Sequence, residues 1–378
     1  MLSKPFKTVI KKNAIIDIGK YIKDDTKNCL LIAGRHFVES EDMDIVSTSL
    51  YMNNIDYQLW TYAIGEPEVY YIDEIAAFGR AFGADAVLAI GGGSVLDTGK
   101  SVAAMLTNEG SVYEYMEIEG QRQLVNKPVP FFAVPTTAGT GAEASKNAVI
   151  IDKSRSIKKS FRSDSLFARL AVIDPMLQLE TPNDVTAYSG MDALTQLIES
   201  YTAKKAVAQT DELCLEGIKH CKYLSVAYAD GGNYMAREEM AKAAYISGVV
   251  LANVGLGAVH GLASPIGAYT GLPHGKICAV LLPHIMEVNK LYCVEKYADV
   301  GRLLSGNSML SELEAADRAI ECVRSLNKSF GIPEDFKGTC LGDHAAAIAA
   351  EAYNIPSMLN NPMTADMNYW TEFLLHLS

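Results

Sequence analysis

The sequence lacks the features that mark nucleic-acid-binding and membrane-spanning proteins. Its 33 lysines and arginines are outnumbered by 45 aspartates and glutamates, so the formal net charge is −12. Nucleic acids and anionic membranes bind basic surfaces, and neither is expected as the main partner. No run of 18 apolar residues occurs either, because the most apolar region, 248–268, is interrupted by Asn253, His260 and Ser264.

Disulfide bonds and a secretory signal are also not expected. The seven cysteines are odd in number and include no CxxC pair, which is typical of reduced thiols in a cytosol. The first residues, MLSKPFKTVIKKN, have no apolar segment of the kind that a signal peptide requires. We therefore expect a cytoplasmic protein. At 378 residues with 49% hydrophobic content, the chain is long enough for two well-buried domains.

The pattern of the chain changes near residue 180. Before that point, short β-rich runs alternate with helical patterns, which predicts a parallel sheet covered by helices on both faces. The predicted strands are CLLIAG (29–34), DYQLWTY (56–62), DAVLAI (85–90), VPFFAVP (129–135) and LAVIDP (170–175). After Thr181 helical periodicity dominates, which predicts an all-helical domain. The domain boundaries are therefore placed at 1–180 and 181–378.

Four polar residues of the second half have the chemistry of a metal site. Asp192 and Gln196 are four residues apart in GMDALTQLIESY, so on a helix their side chains share one face. His260 and His274 flank a Gly/Pro-rich stretch. One carboxylate and two imidazoles that converge hold a divalent transition metal while leaving coordination positions open.

Two loops in the first half are suited to a nucleotide. Gly91, Gly92, Gly93 and Ser94 come directly after the third apparent strand and before a helical run, where free N–H groups favour a pyrophosphate. The cluster is not the GxGxxG fingerprint, and by itself it is equally consistent with a tight structural turn.

The second loop, PTTAGTGAEAS (135–145), offers the hydroxyls of Thr136, Thr137 and Thr140 to phosphate or ribose. The same threonines could instead bond their own backbone. Both loops follow the carboxyl ends of predicted strands, where ligands bind in open α/β sheets. Together they favour a nucleotide.

With these residues in place, the chain resembles the iron-containing, or group III, alcohol dehydrogenases. The resemblance rests on GGGSVLDTGK, PTTAGTGAEAS, GMDALTQLIESY, NVGLGAVHGLASPIGAYTGLPHG and NNP, in that order and over nearly the whole chain. It implies a Rossmann-like α/β dinucleotide-binding domain followed by an all-α metal-binding domain, the fold shared with dehydroquinate synthase. It also implies reversible hydride transfer between a small alcohol or aldehyde and NAD(P), with Fe²⁺ or Zn²⁺ polarising the oxygen, and a homodimer.

Carried onto this chain, the resemblance places metal ligands at Asp192, His260 and His274. Family members usually have a third ligand histidine where this chain has Gln196. The glutamine could coordinate through its carbonyl oxygen, hydrogen-bond a metal-bound water, or simply pack. Family members also usually have a proton-relaying histidine where this chain has Ser264. A serine is not a general base at neutral pH unaided, but it could pass a proton between alkoxide, cofactor ribose and water.

Three further residues bear on the cofactor. The resemblance places Asp97 near the phosphate and ribose of the cofactor. The alternative is that Asp97 caps the start of its helix. Lys100 is interpreted as a plain surface residue. After the first strand, Gly34 and Arg35 stand where NAD-preferring dehydrogenases often carry an acid. An arginine without that acid would accept a 2′-phosphate, so the sequence favours NADP(H).

His284 could hydrogen-bond a metal ligand without touching the metal, but a structural role is favoured.

Two other functions remain open at this stage. A glycerol or polyol dehydrogenase-like enzyme could use the same scaffold. So could a dehydroquinate-synthase-like or polyol-phosphate dehydrogenase, but their sites need several basic side chains for phosphate or carboxylate, and only Lys276 is near the predicted ligands. A metal-free, non-catalytic descendant that serves as a binding subunit could carry Gln196 and Ser264. The intact glycine loop and the three remaining ligands argue against it.

Overall fold

The chain divides into two compact units in the computed structural model. The structure describes residues 2–62, 65–118, 121–155 and 157–378. The first unit comprises Met1–Thr137 and Gly141–Leu179, and the second comprises Ala138–Thr140 and Glu180–Ser378. Most of the threonine-rich loop therefore belongs to the first unit, while three of its residues pack with the second.

The first unit is built on a parallel sheet. The strands of the unit are β1 Lys7–Ile10, β2 Asn28–Gly34, β3 Asp56–Tyr62, β4 Ala86–Gly91, β5 Phe131–Pro135, β6 Asn147–Asp152, β7 Ile157–Arg162 and β8 Leu170–Ile173. Six of them form the parallel sheet, in the order β1-β8-β5-β4-β2-β3. Its helices are α1 Ile18–Ile22, α2 Arg35–Val38, α3 Glu41–Met52, α4 Val69–Phe82 and α5 Gly93–Met105.

Both faces of this sheet are buried. Along β2, Leu30 and Ile32 pack into one hydrophobic cluster while Leu31 and Ala33 pack into another. Successive side chains of a strand point to opposite faces, so the two clusters are the cores above and below the sheet. Burial on both sides explains why the strand reads as one continuous apolar run. The predicted doubly covered parallel sheet is confirmed.

Three strands were not predicted. β1 is four residues long and partly exposed, so it has no hydrophobic run; it pairs with β8 at one edge of the sheet. β6 and β7 form a separate antiparallel pair, and β7 is largely polar. Since β1 precedes the others, the glycine loop follows the fourth strand of the chain, and its assignment to the third was wrong.

The second unit is helical throughout, as predicted. Its helices are α6 Asn183–Thr202, α7 Ala208–Cys221, α8 Leu224–Ala229, α9 Tyr234–Val254, α10 Ala258–Thr270, α11 His274–Asn289, α12 Val294–Ser305, α13 Glu312–Ser329, α14 Leu341–Tyr353, α15 Pro356–Asn360 and α16 Met367–Leu377. All of them contribute to one hydrophobic core or pack against it. Among the described residues no single helix is long and apolar enough to span a membrane; α9 and α10, which meet at 102°, satisfy length and composition only as a pair.

Candidate active site

The site begins on α6, the helix at the centre of the second unit. Its residues from Gly190 to Thr202 are all buried, and Asp192 and Gln196 are each only 2% exposed. A buried carboxylate is costly unless it is paired or binds a cation. The predicted pairing of these two side chains on one helical face is what the structure shows: Gln196 Nε2 donates to Asp192 Oδ2 over 3.1 Å.

His260 is held in place by a carboxylate that the sequence reasoning missed. Glu199 lies on the same face of α6 as Asp192, and it accepts a hydrogen bond from His260 Nδ1 at 2.6 Å. Its other oxygen accepts from the backbone N–H of Val259 at 2.6 Å, in the first turn of α10. A carboxylate at a helix N-terminus interacts favourably with the dipole. The only available signal was the spacing of seven residues from Asp192.

The near-terminal NNP motif fixes the loop that leads into α10. Asn360 Nδ2 donates to the carbonyls of Val254 and Leu256 at 3.1 and 3.0 Å. Asn361 Oδ1 accepts from the backbone N–H of Ala258 at 3.2 Å, at the start of the same helix. Both asparagines are buried. The motif therefore positions His260 through the backbone of this loop.

His274 reaches the site because α11 approaches α6 very closely. Gly271 ends α10 in the left-handed conformation with φ of 68°, and His274 is the first residue of the next helix. A Cβ added to Gly275 would lie 2.3 Å from the carbonyl oxygen of Tyr188 on α6. Only glycine permits this approach, which brings the histidine beside Asp192.

The three predicted ligands converge, and a fourth residue joins them. Asp192 Oδ1 lies 3.1 Å from His260 Nε2 and 3.8 Å from His274 Nε2. Cys278 Sγ lies 3.6 Å from His274 Nε2 and 3.8 Å from His260 Nε2. These four ligand atoms all lie within 4.8 Å of one another. The sequence reasoning missed Cys278, although it follows His274 by one helical turn.

The electrostatics of this cluster require a positive charge at its centre. With Nδ1 of His260 donating to Glu199, the neutral ring turns the lone pair of Nε2 towards a carboxylate oxygen of Asp192. Two acceptors 3.1 Å apart need a proton or a cation between them. Burial opposes charge on both groups, yet Cys278, Glu199 and Asp192 together hold the pKa of His260 above its ordinary value. For Asp192, His260 and His274 outweigh burial and lower the pKa. A divalent metal would supply the same charge.

Gln196 offers a weaker donor to the same centre. Its Oε1 is buried and accepts no hydrogen bond from the described part of the chain, since Nε2 is the atom turned to Asp192. A buried carbonyl oxygen without a donor is costly, and a cation or a water bound to one would satisfy it. Coordination by Gln196 stays a prediction.

Ser264 lies on α10 one helical turn after His260 and is partly buried. Residues four apart on a helix share a face, so the serine lies on the same side of α10 as the ligand. The proton-passing role that was predicted for it stays a prediction.

In the first unit, the glycine loop forms a tight turn between the end of β4 and the start of α5. A Cβ added to Gly91 would lie 2.5 Å from Val95 Cγ2, and one added to Gly99 would lie 2.6 Å from Ala89 Cβ. The first glycine therefore allows the tight turn, and Gly99 allows close packing of α5 on the sheet. At the start of α5, the N–H groups of Gly93 and Ser94 lie outside the helical ladder. They are available to an anion.

The threonine loop lies beside this turn. The backbone N–H of Thr136 donates to the carbonyl of Gly91 at 3.0 Å. A Cβ on Gly92 would contact the side chain of Thr137 at 3.4 Å. Thr140 is exposed and belongs to the second unit. In the first unit the carboxyl ends of the paired strands β4 and β5 therefore lie side by side. This pairing makes Gly91 and Gly92 neighbours of Thr136 and Thr137.

Comparison with known proteins identifies the family. Residues 5–175 match the family model described as iron-containing alcohol dehydrogenase, and residues 186–375 match the model of its C-terminal domain. The chain belongs to the iron-containing alcohol dehydrogenase family. It is therefore an enzyme, an oxidoreductase that acts on alcohols, and the resemblance drawn from its motifs is confirmed.

Relatives with established names support this placement. The chain is 34% identical over 314 residues to long-chain-alcohol dehydrogenase 1 of Geobacillus thermodenitrificans, covering 82% of this chain and 79% of that protein. It is 34% identical over 336 residues to the NAD-dependent methanol dehydrogenase of Bacillus methanolicus, covering 88% and 87%. The structure of an alcohol dehydrogenase from Oenococcus oeni has a TM-score of 0.94 at 28% identity and covers 100% of both chains.

The structure changes the interpretation of two residues on α5, Lys100 and Asp97. Lys100 was interpreted as a surface residue, which is wrong: it is 1% exposed and its Nζ donates to the carbonyl of Asn147 at 2.6 Å and to Ser145 Oγ at 3.1 Å. Asp97 accepts from Lys100 at 3.4 Å and from the N–H of Val149 at 2.9 Å. Asp97 thus ties α5 to β6 and does not cap the helix start; its contact with cofactor stays a prediction for this family member.

The remaining sequence-predicted residues have contacts of their own. Gly34 ends β2 and Arg35 begins α2, where its guanidinium pairs with exposed Glu39 at 2.8 Å. His284 Nε2 donates to the backbone carbonyl of Glu334 at 2.7 Å. The structural role favoured for His284 agrees with this bond.

Proposed function

We propose that this chain is a metal-dependent alcohol dehydrogenase and aldehyde reductase that transfers hydride between a small alcohol or aldehyde and NAD(P). The observation that carries the proposal is the convergence of Asp192 Oδ1, His260 Nε2 and His274 Nε2. A carboxylate and two imidazoles form a donor set that suits Fe²⁺ and Zn²⁺ alike. The orphaned Gln196 Oε1 and the facing acceptors of Asp192 and His260 fit the same ion.

The residues in and around the cluster have separate roles. Asp192, His260 and His274 would hold the cation, which would supply Lewis-acid chemistry at the alcohol or carbonyl oxygen. Glu199 keeps the proton of His260 on Nδ1, so that Nε2 presents a lone pair to the site. The nicotinamide would supply the hydride chemistry, and Ser264 Oγ would pass the hydroxyl proton of the alcohol towards water or the cofactor ribose.

The first unit is proposed to bind the nicotinamide cofactor. Gly91, Gly92, Gly93 and Ser94, at the start of α5, would hold the pyrophosphate, helped by Thr136 and Thr137, and Asp97 would lie near the ribose. The cofactor contact predicted for Thr140, which belongs to the second unit, stays a prediction. Support comes from the glycine contacts that bring α5 against the sheet. Arg35, with no acid at position 34, favours NADP(H) over NAD(H).

The substrate is proposed only as a class of compound, and the oligomeric state and location rest on less direct support. The names of the relatives include a long-chain-alcohol dehydrogenase, a methanol dehydrogenase and a 1,3-propanediol dehydrogenase, so related sites accept alcohols of different sizes. A small alcohol or aldehyde is our proposal for this chain. The homodimer rests on the resemblance alone, and the cytoplasmic location is supported by seven free cysteines.

The proposed activity is tested by following NADPH and NADH oxidation with short-chain aldehydes, using protein supplied with Fe²⁺ or Zn²⁺. We expect metal-dependent oxidation of the reduced cofactor with at least one aldehyde. Absence of turnover with every metal and both cofactors would contradict the proposal and favour a binding subunit.

Gly34→Asp is expected to shift the cofactor preference towards NAD(H). The new carboxylate would repel a 2′-phosphate and accept the ribose hydroxyls. There is room for it, because a Cβ at position 34 meets only Val95 Cγ2 at 3.8 Å and φ is −64°. An interaction with a charged group is worth about 1.5–3 kcal/mol, so kcat/KM for NADH relative to NADPH should rise by roughly 10- to 100-fold.

Gly34→Asn is the matched control, because it adds the same volume without the charge. It should leave the ratio of the two kcat/KM values within a few-fold of the original protein. A strong preference of the original protein for NADH would show that the NADP(H) assignment is wrong.

A further inference from the structure

Cys278 is built into the ligand cluster and not merely near it. It lies on α11 one turn after His274, so the helix presents both side chains on one face. The thiol is fully buried, and its Sγ is 3.6 Å from His274 Nε2 and 3.8 Å from His260 Nε2. Buried cysteines usually pack against apolar groups. This one faces two imidazoles and a carboxylate.

The spacing of the four ligand atoms is close to that of a metal tetrahedron along four of its six edges. Ligands about 2.0–2.3 Å from a zinc ion at tetrahedral corners lie about 3.3–3.6 Å from each other. Four of the six separations among Asp192, His260, His274 and Cys278 are 3.1, 3.8, 3.6 and 3.8 Å, each within about half an ångström of such an edge. The other two, from Asp192 to Cys278 and from His260 to His274, are no longer than 4.8 Å. Adjustment of the side chains would complete the polyhedron.

Gln196 is the competing candidate for a fourth ligand, and the nature of its donor atom favours it less. Its amide nitrogen is turned to Asp192 Oδ2, which leaves the buried Oε1 as the atom that it offers to a metal. A neutral amide oxygen is a poor ligand for a transition metal compared with a thiolate. The cysteine supplies the stronger donor that this glutamine lacks.

We propose that Cys278 Sγ is a fourth protein ligand, so that Asp192, His260, His274 and Cys278 together form a site that favours Zn²⁺ over Fe²⁺. The inference rests on the proposed function, which places a metal here. On metal binding the thiol proton is released to solvent and the thiolate sulfur forms the bond to the ion. Carboxylate and thiolate together neutralise a divalent charge. The substrate oxygen would then occupy a fifth position, as in catalytic zinc sites that expand their coordination.

Softness of the donor determines the expected metal preference. Thiolate ligands select zinc over the harder ferrous ion, whereas imidazole and carboxylate serve both. Replacing the sulfur should therefore lower the affinity for zinc more than the affinity for ferrous iron. This difference separates a ligand from a residue that only fills space.

Cobalt substitution tests the proposal directly. Apo-protein prepared with a chelator is loaded with Co²⁺, which reports a bound thiolate through sulfur-to-cobalt charge-transfer absorption in the near ultraviolet. The original protein and Cys214→Ala should both show this band, and Cys278→Ala should lose it. Cys214 is the matched control because it is equally buried in the same unit. Groups that only orient ligands cost about 10–100-fold in metal affinity, so Cys278→Ala should cost zinc affinity more than about 100-fold.

A zinc X-ray absorption spectrum of the unmodified protein keeps the test independent of how the variants fold. One sulfur scatterer at about 2.3 Å is expected. Stoichiometric cobalt and zinc binding with no sulfur signal would overturn the role of Cys278 while leaving the metal site standing. Failure of the original protein to bind any divalent metal would overturn both this inference and the proposed function.

Discussion

Asp192→Asn is expected to lose bound metal and to lower kcat/KM for aldehyde reduction by about 1,000-fold or more. The variant keeps the shape of the buried side chain but replaces its anionic oxygens, which face His260 and His274, with a neutral amide. Lewis-acid stabilisation at the reacting oxygen is worth several kcal/mol. Each tenfold in rate corresponds to about 1.4 kcal/mol, so losing that stabilisation gives the expected drop. Steady-state kinetics with metal analysis of the same samples measures both effects.

Asp184→Asn is the appropriate control for this variant. Asp184 lies in the first turn of the same helix, α6, but it is exposed and bonds only the adjacent backbone N–H of Val185 among the contacts described. It should retain its metal and its rate. If Asp192→Asn instead turned over at the original rate with no metal bound, Asp192 would have no part in the chemistry.

Glu199→Gln is expected to weaken metal binding by about 10- to 100-fold, the usual cost of losing a group that orients a ligand. Glu199 accepts from His260 Nδ1 and from the N–H of Val259 with separate oxygens. A glutamine can satisfy only one of these donors, because its other terminal atom is itself a donor. The imidazole would lose its fixed tautomer, and α10 would lose a favourable charge at its N-terminus.

Chelator competition measures this change as a dissociation constant for Zn²⁺. Saturating metal should restore much of the kcat of Glu199→Gln, since its ligands are intact, and this distinguishes it from Asp192→Asn. Glu216→Gln, an exposed change on α7, should leave the dissociation constant unaltered. An unchanged zinc affinity in Glu199→Gln would mean that its bond to His260 does not position the ligand.

The parts of the fold that could be predicted were those with strong local signals. β2 and β4 are buried on both faces and appear as continuous apolar runs, and β3 was predicted with the observed bounds, Asp56–Tyr62. β1 and β7 were missed because they are short or polar and depend on a partner strand for their structure. Such segments have neither the apolar run nor the alternating pattern that predicts a strand from sequence.

The site shows the same division between local and tertiary information. Asp192 and Gln196 share a helical face, and spacing alone predicts that. Glu199 and His260 are 61 residues apart, so their hydrogen bond exists only in the folded chain. Lys100 was misplaced because lysine is rarely buried unless paired, and its acceptors near Asn147 lie on a hairpin that was not predicted.

The most direct measurement is anomalous X-ray diffraction from crystals grown with Zn²⁺ or Fe²⁺, recorded on both sides of the metal absorption edge. The expected result is one anomalous peak per chain, about 2.0–2.3 Å from an oxygen of Asp192 and from Nε2 of His260 and His274. A map with no peak at these residues under saturating metal would contradict the proposal that this protein works as a metal-dependent dehydrogenase.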